Sequence, residues 1–291
     1  MFFFLLYKIG EMIALAMPVR LSYRLAALIS DIKYFFSFYE RREMVENLKQ
    51  VLPGADIKIL RRHSKKIFAN FSKYLVDFFR FKKLDSKYIE ERVEIIHKDY
   101  IDAALKRGKG AIILSAHLGN WELGGAVMGI LGYPINVLAL DHKNKLVNDF
   151  FINQRRIKNE NIISIKFAVR KCFKALAGNE LIAIVADKDF TNIGEVVSFF
   201  GKETLLPKGP AALSLKTGAV IIPGYLIRAK NEYFKLIFEK PIEYTPSGDF
   251  DRDVRALTVQ CTKRLENCIR TYPTQWYCFR RFWLDHKKDG K

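Results

Sequence analysis

From residue 21 to about residue 107, apolar side chains recur every three or four positions, as at Ile67, Phe68, Phe71, Leu75, Phe78 and Phe79. That is the spacing of one buried helical face. The pattern predicts helices over residues 21–39, 41–51 and 56–81, the second stopped by Pro53-Gly54. From Gly108 the texture changes to short apolar runs bounded by Gly, Pro and Asn, at residues 111–116, 135–140, 181–186, 219–227 and 233–239. Their length and Ile/Val content predict buried strands, with helical patterns between them at 146–158 and 170–177. The last two runs flank Lys230-Asn231-Glu232 and read as a hairpin, so the sheet is expected to be mixed. A closing helix over 251–270 starts from the Ser247-Gly248-Asp249 turn. The expected fold is therefore α/β, a mixed sheet flanked by helices and preceded by a helical layer. The helical region covers residues 1–107 and the α/β core 108–291, as one continuous domain.

The first seventeen residues are apolar except for Lys8 and Glu11. Those charges leave no run of the ~18–20 apolar residues that a spanning helix needs. A cleaved signal peptide is poorly supported, because no basic residue precedes the apolar stretch. The segment is expected to lie in one leaflet of a membrane, flanked by Arg20 and Arg24. An ordinary buried amphipathic helix fits the same pattern.

Composition narrows the partners without choosing one. The 291 residues are 49% hydrophobic, enough for a full core, and carry a formal net charge of +18. Such a field attracts anionic membranes, nucleic acid or acidic carrier proteins alike. Aromatic residues stand among cations, as in Phe78-Phe79-Arg80-Phe81-Lys82-Lys83 and Arg280-Arg281-Phe282-Trp283. That mixing suits a water–lipid interface. Single-stranded nucleic acid is served by similar chemistry, but no recognised nucleic-acid reader motif is present. Cys172, Cys261, Cys268 and Cys278 form no C-x-x-C pair and no zinc spacing, so they read as reduced thiols on the cytoplasmic side, and no metal is expected.

The candidate chemistry lies in His117-Leu118-Gly119-Asn120-Trp121-Glu122. His117 follows the strand at 111–116, at the carboxyl end where open α/β sheets keep their ligand crevice. Asn120 reads as a helix N-cap, which puts Glu122 in the first helical turn, where free N–H groups and the macrodipole favour a carboxylate. An ionised carboxylate beside an imidazole fixes its tautomer, so His117 is the candidate general base and Glu122 its partner. By spacing alone, H-x4-E also arises by chance.

Several blocks carry a resemblance to a known family: Asn47-Leu48 with Leu52-Pro53, His117 to Glu122, Ala186-Asp187-Lys188-Asp189-Phe190 followed by Phe199-Phe200-Gly201, Gly209-Pro210-Ala211 through Gly218-Ala219 with Pro223 and Arg228, and Trp276 with Arg280-Arg281-Phe282. The ordered set resembles the late acyltransferases of lipid A biosynthesis, the lauroyl and myristoyl transferases, within the lysophospholipid acyltransferase superfamily. It is also similar to their relatives that acylate phosphatidylinositol mannosides. The resemblance implies a glycerol-phosphate-acyltransferase-like core that moves a fatty acyl chain from an acyl thioester, on acyl carrier protein or coenzyme A, to a hydroxyl of a membrane glycolipid. A lipid A precursor is the expected acceptor, with an inositol mannoside or lysophospholipid as the alternative. No cofactor is expected beyond the thioester co-substrate, nor any nucleic-acid partner. The expected location is the cytoplasmic face of the bacterial inner membrane, on an anionic surface.

Further binding residues follow. Arg155 and Arg156 carry planar forks suited to a phosphate, and the resemblance places a site arginine in this region without choosing between them. Asp187 and Asp189 end the strand at 181–186, where carboxylates face a crevice or simply cap a turn. Gly209 is a candidate oxyanion donor, although Gly209-Pro210 is equally a turn. Asn120 and Arg280 complete the candidate binding set. Lys58, Arg61, Arg62, Lys65 and Lys66 form a basic cluster fit for an acidic carrier or anionic headgroups, or an ordinary solvated helix face.

Overall fold

The structure, a computed structural model, describes residues 1–165 and 168–283, without the side chains of Phe2 and Phe3. The expected core region thus extends past the described residues at 284–291. Helices α1 (Phe2–Ala16), α2 (Val19–Phe36), α3 (Phe38–Val51) and α4 (Ile57–Phe79) come first, then α5 (Ser86–Arg92), strand β1 (Val93–Ile96) and α6 (Asp99–Lys106). Strands and helices then alternate: β2 (Ala111–Ser115), α7 (Trp121–Ile130), β3 (Ile135–Ala139), α8 (Lys145–Arg156), β4 (Asn161–Ser164), α9 (Ala168–Ala177) and β5 (Leu181–Val185). The rest is a hairpin of β6 (Glu195–Phe199) and β7 (Lys202–Leu206), then α10 (Gly209–Thr217), β8 (Val220–Arg228), β9 (Phe234–Phe238) and α11 (Phe250–Thr271).

The main sheet has seven strands in the order β1-β9-β8-β2-β5-β3-β4. Only β8 and β9 pair antiparallel, through the hairpin at Lys230–Glu232, so the sheet is mixed as expected. Side chains of β2 alternate between two cores: Ile112 and Leu114 join one, Ala111 and Ile113 the other. On the first face lie α9, α10 and α11, the last burying Val254, Leu257, Cys261, Leu265 and Ile269 at helical spacing. The second face is covered by α4 to α8, with Phe78, Phe81, Ile101 and Val127 fully buried. Each such side chain contributes roughly 1.5–3 kcal/mol on burial.

Elements absent from the sequence reading are short or peripheral. β1 has four residues at the sheet edge, and β4 four at the other. The β6–β7 hairpin turns in two residues, Phe200 and Gly201, both at positive φ (52° and 80°), as a tight twisted hairpin requires. Gly209-Pro210, read as a turn, instead opens α10, with proline in the first turn where its missing N–H costs nothing.

The first two helices are inverted in polarity. Glu11 of α1 is 3% exposed, bridged to Lys8 and to Lys82 (2.9 Å) and hydrogen-bonded by Gln154 Nε2 (2.9 Å), whereas Leu5, Leu6 and Met12 are exposed. On α2 the buried residues are Ser22, Tyr23 and Ser30, while Leu28, Ile29, Ile32, Phe35 and Phe36 face outward. Of the two charges expected to interrupt a lipid-facing helix, Glu11 is turned into the protein and Lys8 stays exposed while bridging to it. Among the described residues no helix is long and apolar enough to cross a membrane.

Candidate active site

Strands β2 and β5 are parallel neighbours in the register Ser115↔Val185. Two residues further along each, at the carboxyl edge of the sheet, stand His117 and Asp187. His117 Nδ1 lies 2.7 Å from Asp187 Oδ1, which also accepts the His117 backbone N–H at 3.1 Å. Asp187 Oδ2 accepts the Trp276 indole N–H at 2.9 Å. Burial works to raise the Asp187 carboxyl, but His117 and these donors outweigh it and hold the group below the usual carboxylate range. An ionised Asp187 keeps the proton of a neutral imidazole on Nδ1 and leaves Nε2 as the basic nitrogen. The imidazole is partly exposed and its carboxylate is buried.

The turn after His117 is held on every side. Gly119 N–H donates to the Gln275 carbonyl (2.9 Å), Asn120 N–H to the Leu226 carbonyl (2.8 Å), and Tyr277 N–H to the His117 carbonyl (2.8 Å). Gly119 has φ +64°, and a Cβ there would stand 2.0 Å from the Leu226 carbonyl oxygen. Gly119→Ala therefore has to move β8 or break the turn, and is expected to cost more than about 2 kcal/mol together with most activity. Thermal melting and turnover of the purified variant check this.

Glu122, expected to orient His117, does something else. It sits 4% exposed in the first turn of α7, where Arg155 grips it with both arms of its fork: Nε to Oε2 at 2.8 Å and Nη2 to Oε1 at 2.6 Å. Asp187 takes the imidazole instead, because the strand register brings it abreast of His117 while Glu122 turns into the helix layer. Of the two candidate arginines, Arg155 is buried in this pair and Arg156 is exposed, and neither lines the cleft beside His117. Glu160, 2% exposed beside this pair, has its carboxyl pushed well above the usual range by burial and by the Glu122 charge.

The other candidates are scattered. Asn120 was expected to bind substrate, but it is 1% exposed: its Oδ1 caps α7 by accepting Leu123 N–H (3.1 Å) and its Nδ2 donates to Asp77 (2.8 Å). Asp189 accepts from Thr191 within its own loop (2.7 Å), the turn reading of that residue. Gly209 is exposed at the start of α10 and lies outside the cleft lining. Arg280 does reach the cleft, a space of about 210 Å³ lined by His117, Lys188, Phe190, Tyr277, Phe279 and Phe282 among others. Asn47 fixes that wall by donating to the Arg280 carbonyl (2.8 Å) and the Cys278 carbonyl (3.2 Å). The sequence reading missed Asp77, Gln275 and the Trp276 indole contact. The one available signal was positional, since 111–117 and 181–187 are both apolar runs ending in alanine and then a titratable residue. No three His, Cys, Asp or Glu side chains converge as a metal site among the described residues.

The profile of bacterial lipid A biosynthesis acyltransferases matches residues 1–285. The chain belongs to that family. The acyltransferases it is similar to are named for more than one glycolipid. It is 28% identical over 227 residues to a phosphatidylinositol mannoside acyltransferase of Mycolicibacterium smegmatis, covering 77% of this chain and 73% of the relative. The corresponding Mycobacterium tuberculosis protein is 26% identical over 222 residues, covering 74% and 68%. A lipid A biosynthesis acyltransferase of Haemophilus influenzae is 22% identical over 253 residues, covering 87% and 78%.

Proposed function

We propose that this acyltransferase moves a fatty acyl group from a thioester, on acyl carrier protein or coenzyme A, to a hydroxyl of a membrane glycolipid, with His117 as general base. The observation that carries the reading is the His117–Asp187–Trp276 relay at the sheet's carboxyl edge. Nε2 takes the proton of the acceptor hydroxyl, the oxygen attacks the thioester carbonyl, and the imidazolium returns the proton to the departing thiolate. Asp187, acidic by its surroundings, stabilises that imidazolium. No further cofactor takes part. Of the acceptors anticipated, an inositol mannoside is favoured over a lipid A precursor by the higher identity of the mannoside acyltransferases, 28% against 22%. His117→Ala is expected to reduce transfer by at least about 10³-fold in a folded protein. A panel of two donors and both glycolipid classes, read by product mass, identifies the substrate; retained transfer by the variant would sink the mechanism.

The same reading puts the enzyme on a membrane surface at the cytoplasmic face of the inner membrane. Helices α1 and α2 bury polar side chains and expose Leu5, Leu6, Met12, Ile29, Ile32, Phe35 and Phe36, the reverse of a water-facing helix. Exposed Arg20 and Arg24 border the strip on a chain of net charge +18, which suits anionic headgroups. Ile32→Glu with Phe36→Glu is expected to abolish co-sedimentation with anionic vesicles while leaving the melting temperature unchanged. Undiminished co-sedimentation of that double variant rules out this surface.

A further inference from the structure

Beneath the turn that carries His117 lies a buried polar network that the acyl-transfer reading does not use. Its centre is Asp77 of α4, 4% exposed. Asp77 Oδ1 accepts from the Tyr23 hydroxyl of α2, and Oδ2 accepts from both Asn120 Nδ2 (2.8 Å) and Arg228 at the end of β8. Arg228 in turn donates to Glu232 (2.8 Å), and its backbone N–H and carbonyl are both taken by the Gln275 side chain at 2.9 Å. Lys73 of α4 also donates to Glu232, so two cations, Arg228 and Lys73, face two carboxylates, Asp77 and Glu232, drawn together from α4 and the β8–β9 hairpin.

We infer that Asp77 is a positioning residue for the acyl-transfer reaction, holding Asn120 so that the His117 turn presents its imidazole in one orientation. This role rests on His117 being the base proposed above. Asn120 has two duties that only an amide of this reach performs together. Its oxygen caps α7, and its NH₂ is the link to α4. Backbone bonds from Gly119 and Asn120 fix the turn against β8 and the segment at residue 275, and the Asn120 side chain is its hydrogen-bonded link to α4, beside the stack of Trp121 on Tyr74 (ring centroids 4.6 Å). Asn120 and Arg228 can only donate to the side chain at 77, and the buried Arg228 guanidinium has its counter-charge there, which a carboxylate supplies and an amide does not. Asp77 and Asn120 are outside the lining of the cleft, so substrate affinity is not their concern. What they govern is the placement of the basic nitrogen, where an error of about 1 Å costs on the order of 10²-fold in rate.

Three variants test this by steady-state kinetics on the full chain with a thioester donor and a glycolipid acceptor that wild type turns over. Asn120→Ser keeps a capping oxygen and removes only the donor to Asp77. It is expected to lower kcat about tenfold or more, with KM within about threefold of wild type. Asp77→Asn removes the negative charge that faces buried Arg228 and is expected to do the same or worse. Combining Asp77→Asn with Asn120→Asp returns a negative charge to the pair, reverses its bond and keeps an acidic cap on α7 but turns a donor toward Arg228, so it is expected to recover kcat in part, above that of Asp77→Asn. Loss of stability alone does not produce that split of kcat from KM, nor that rescue. A kcat within twofold of wild type for Asn120→Ser overturns the inference, as does a double variant no faster than Asp77→Asn. Asn120→Ser decides the matter if Asp77→Asn does not fold. His117→Ala run alongside separates the two readings: its inactivity beside a fully active Asn120→Ser removes the positioning role alone, whereas an active His117→Ala removes the base assignment on which it rests.

Discussion

Asp187→Asn is expected to lower kcat by on the order of 10³- to 10⁴-fold while the chain stays folded. Asparagine is the same size and still accepts from the Trp276 indole, but it no longer holds the His117 proton on Nδ1 nor meets the imidazolium with a negative charge. The same substitution of Glu122, the nearer carboxylate in sequence, leaves the imidazole's partner in place, so its loss of activity is expected to be much smaller. Comparing the two amides under saturating donor distinguishes them; equal losses would mean that the relay does not run through Asp187. Stability adds a pH signature. A carboxyl held below its ordinary range binds its proton less readily in the folded chain than in the unfolded one. Its contribution is therefore complete above the unfolded aspartate value of about 3.9 and fades as pH falls through the depressed folded value. The gap in unfolding free energy between wild type and Asp187→Asn is expected to be constant near neutrality and to close only below about pH 4.

Arg155→Met is expected to be the most destabilising single change at the site. It leaves the Glu122 carboxylate, 4% exposed, with neither counter-charge nor the two hydrogen bonds it now accepts, next to a second buried carboxyl at Glu160. Breaking such a pair costs about 3–5 kcal/mol, or a fall of roughly 5–10 °C in melting temperature for a chain of this size. Adding Glu122→Gln removes the stranded charge, so the double variant should recover a large part of that loss. Calorimetry on both proteins is the check. A double variant melting lower than Arg155→Met would show that Glu122 is held by something other than this arginine.

These two residues also mark how far the site was legible. Asn120 as the cap of α7 and His117 at the end of a strand were readable, and both are observed, because a cap and a strand end are set by neighbours a few residues away. The pairing of His117 with Glu122 was the natural reading of H-x4-E, and it failed on direction. The first turn of α7 carries Glu122 into the helix layer, where Arg155 waits from α8, a helix placed by packing alone. Asp187 and Trp276 were both singled out as motif residues, but nothing local says that their side chains meet. Asp77 sits in the last turn of α4, between apolar residues at helical spacing. Its three partners come from three other elements, so no spacing betrays them.

By itself the sequence determined the alternation of strands and helices, the hairpin that makes the sheet mixed, the cap that opens α7, and the placing of a histidine at the sheet's carboxyl edge. Each follows from periodicity, turn chemistry or capping over a handful of residues. Only the tertiary structure decided which carboxylate serves that histidine, which arginine is consumed in binding the other one, and that α1 and α2 turn Glu11, Ser22 and Ser30 inward. Those outcomes depend on the register between β2 and β5 and on helices meeting across the layers. His117 and Asp187 lie 70 residues apart, and they become neighbours only when two buried strands pair.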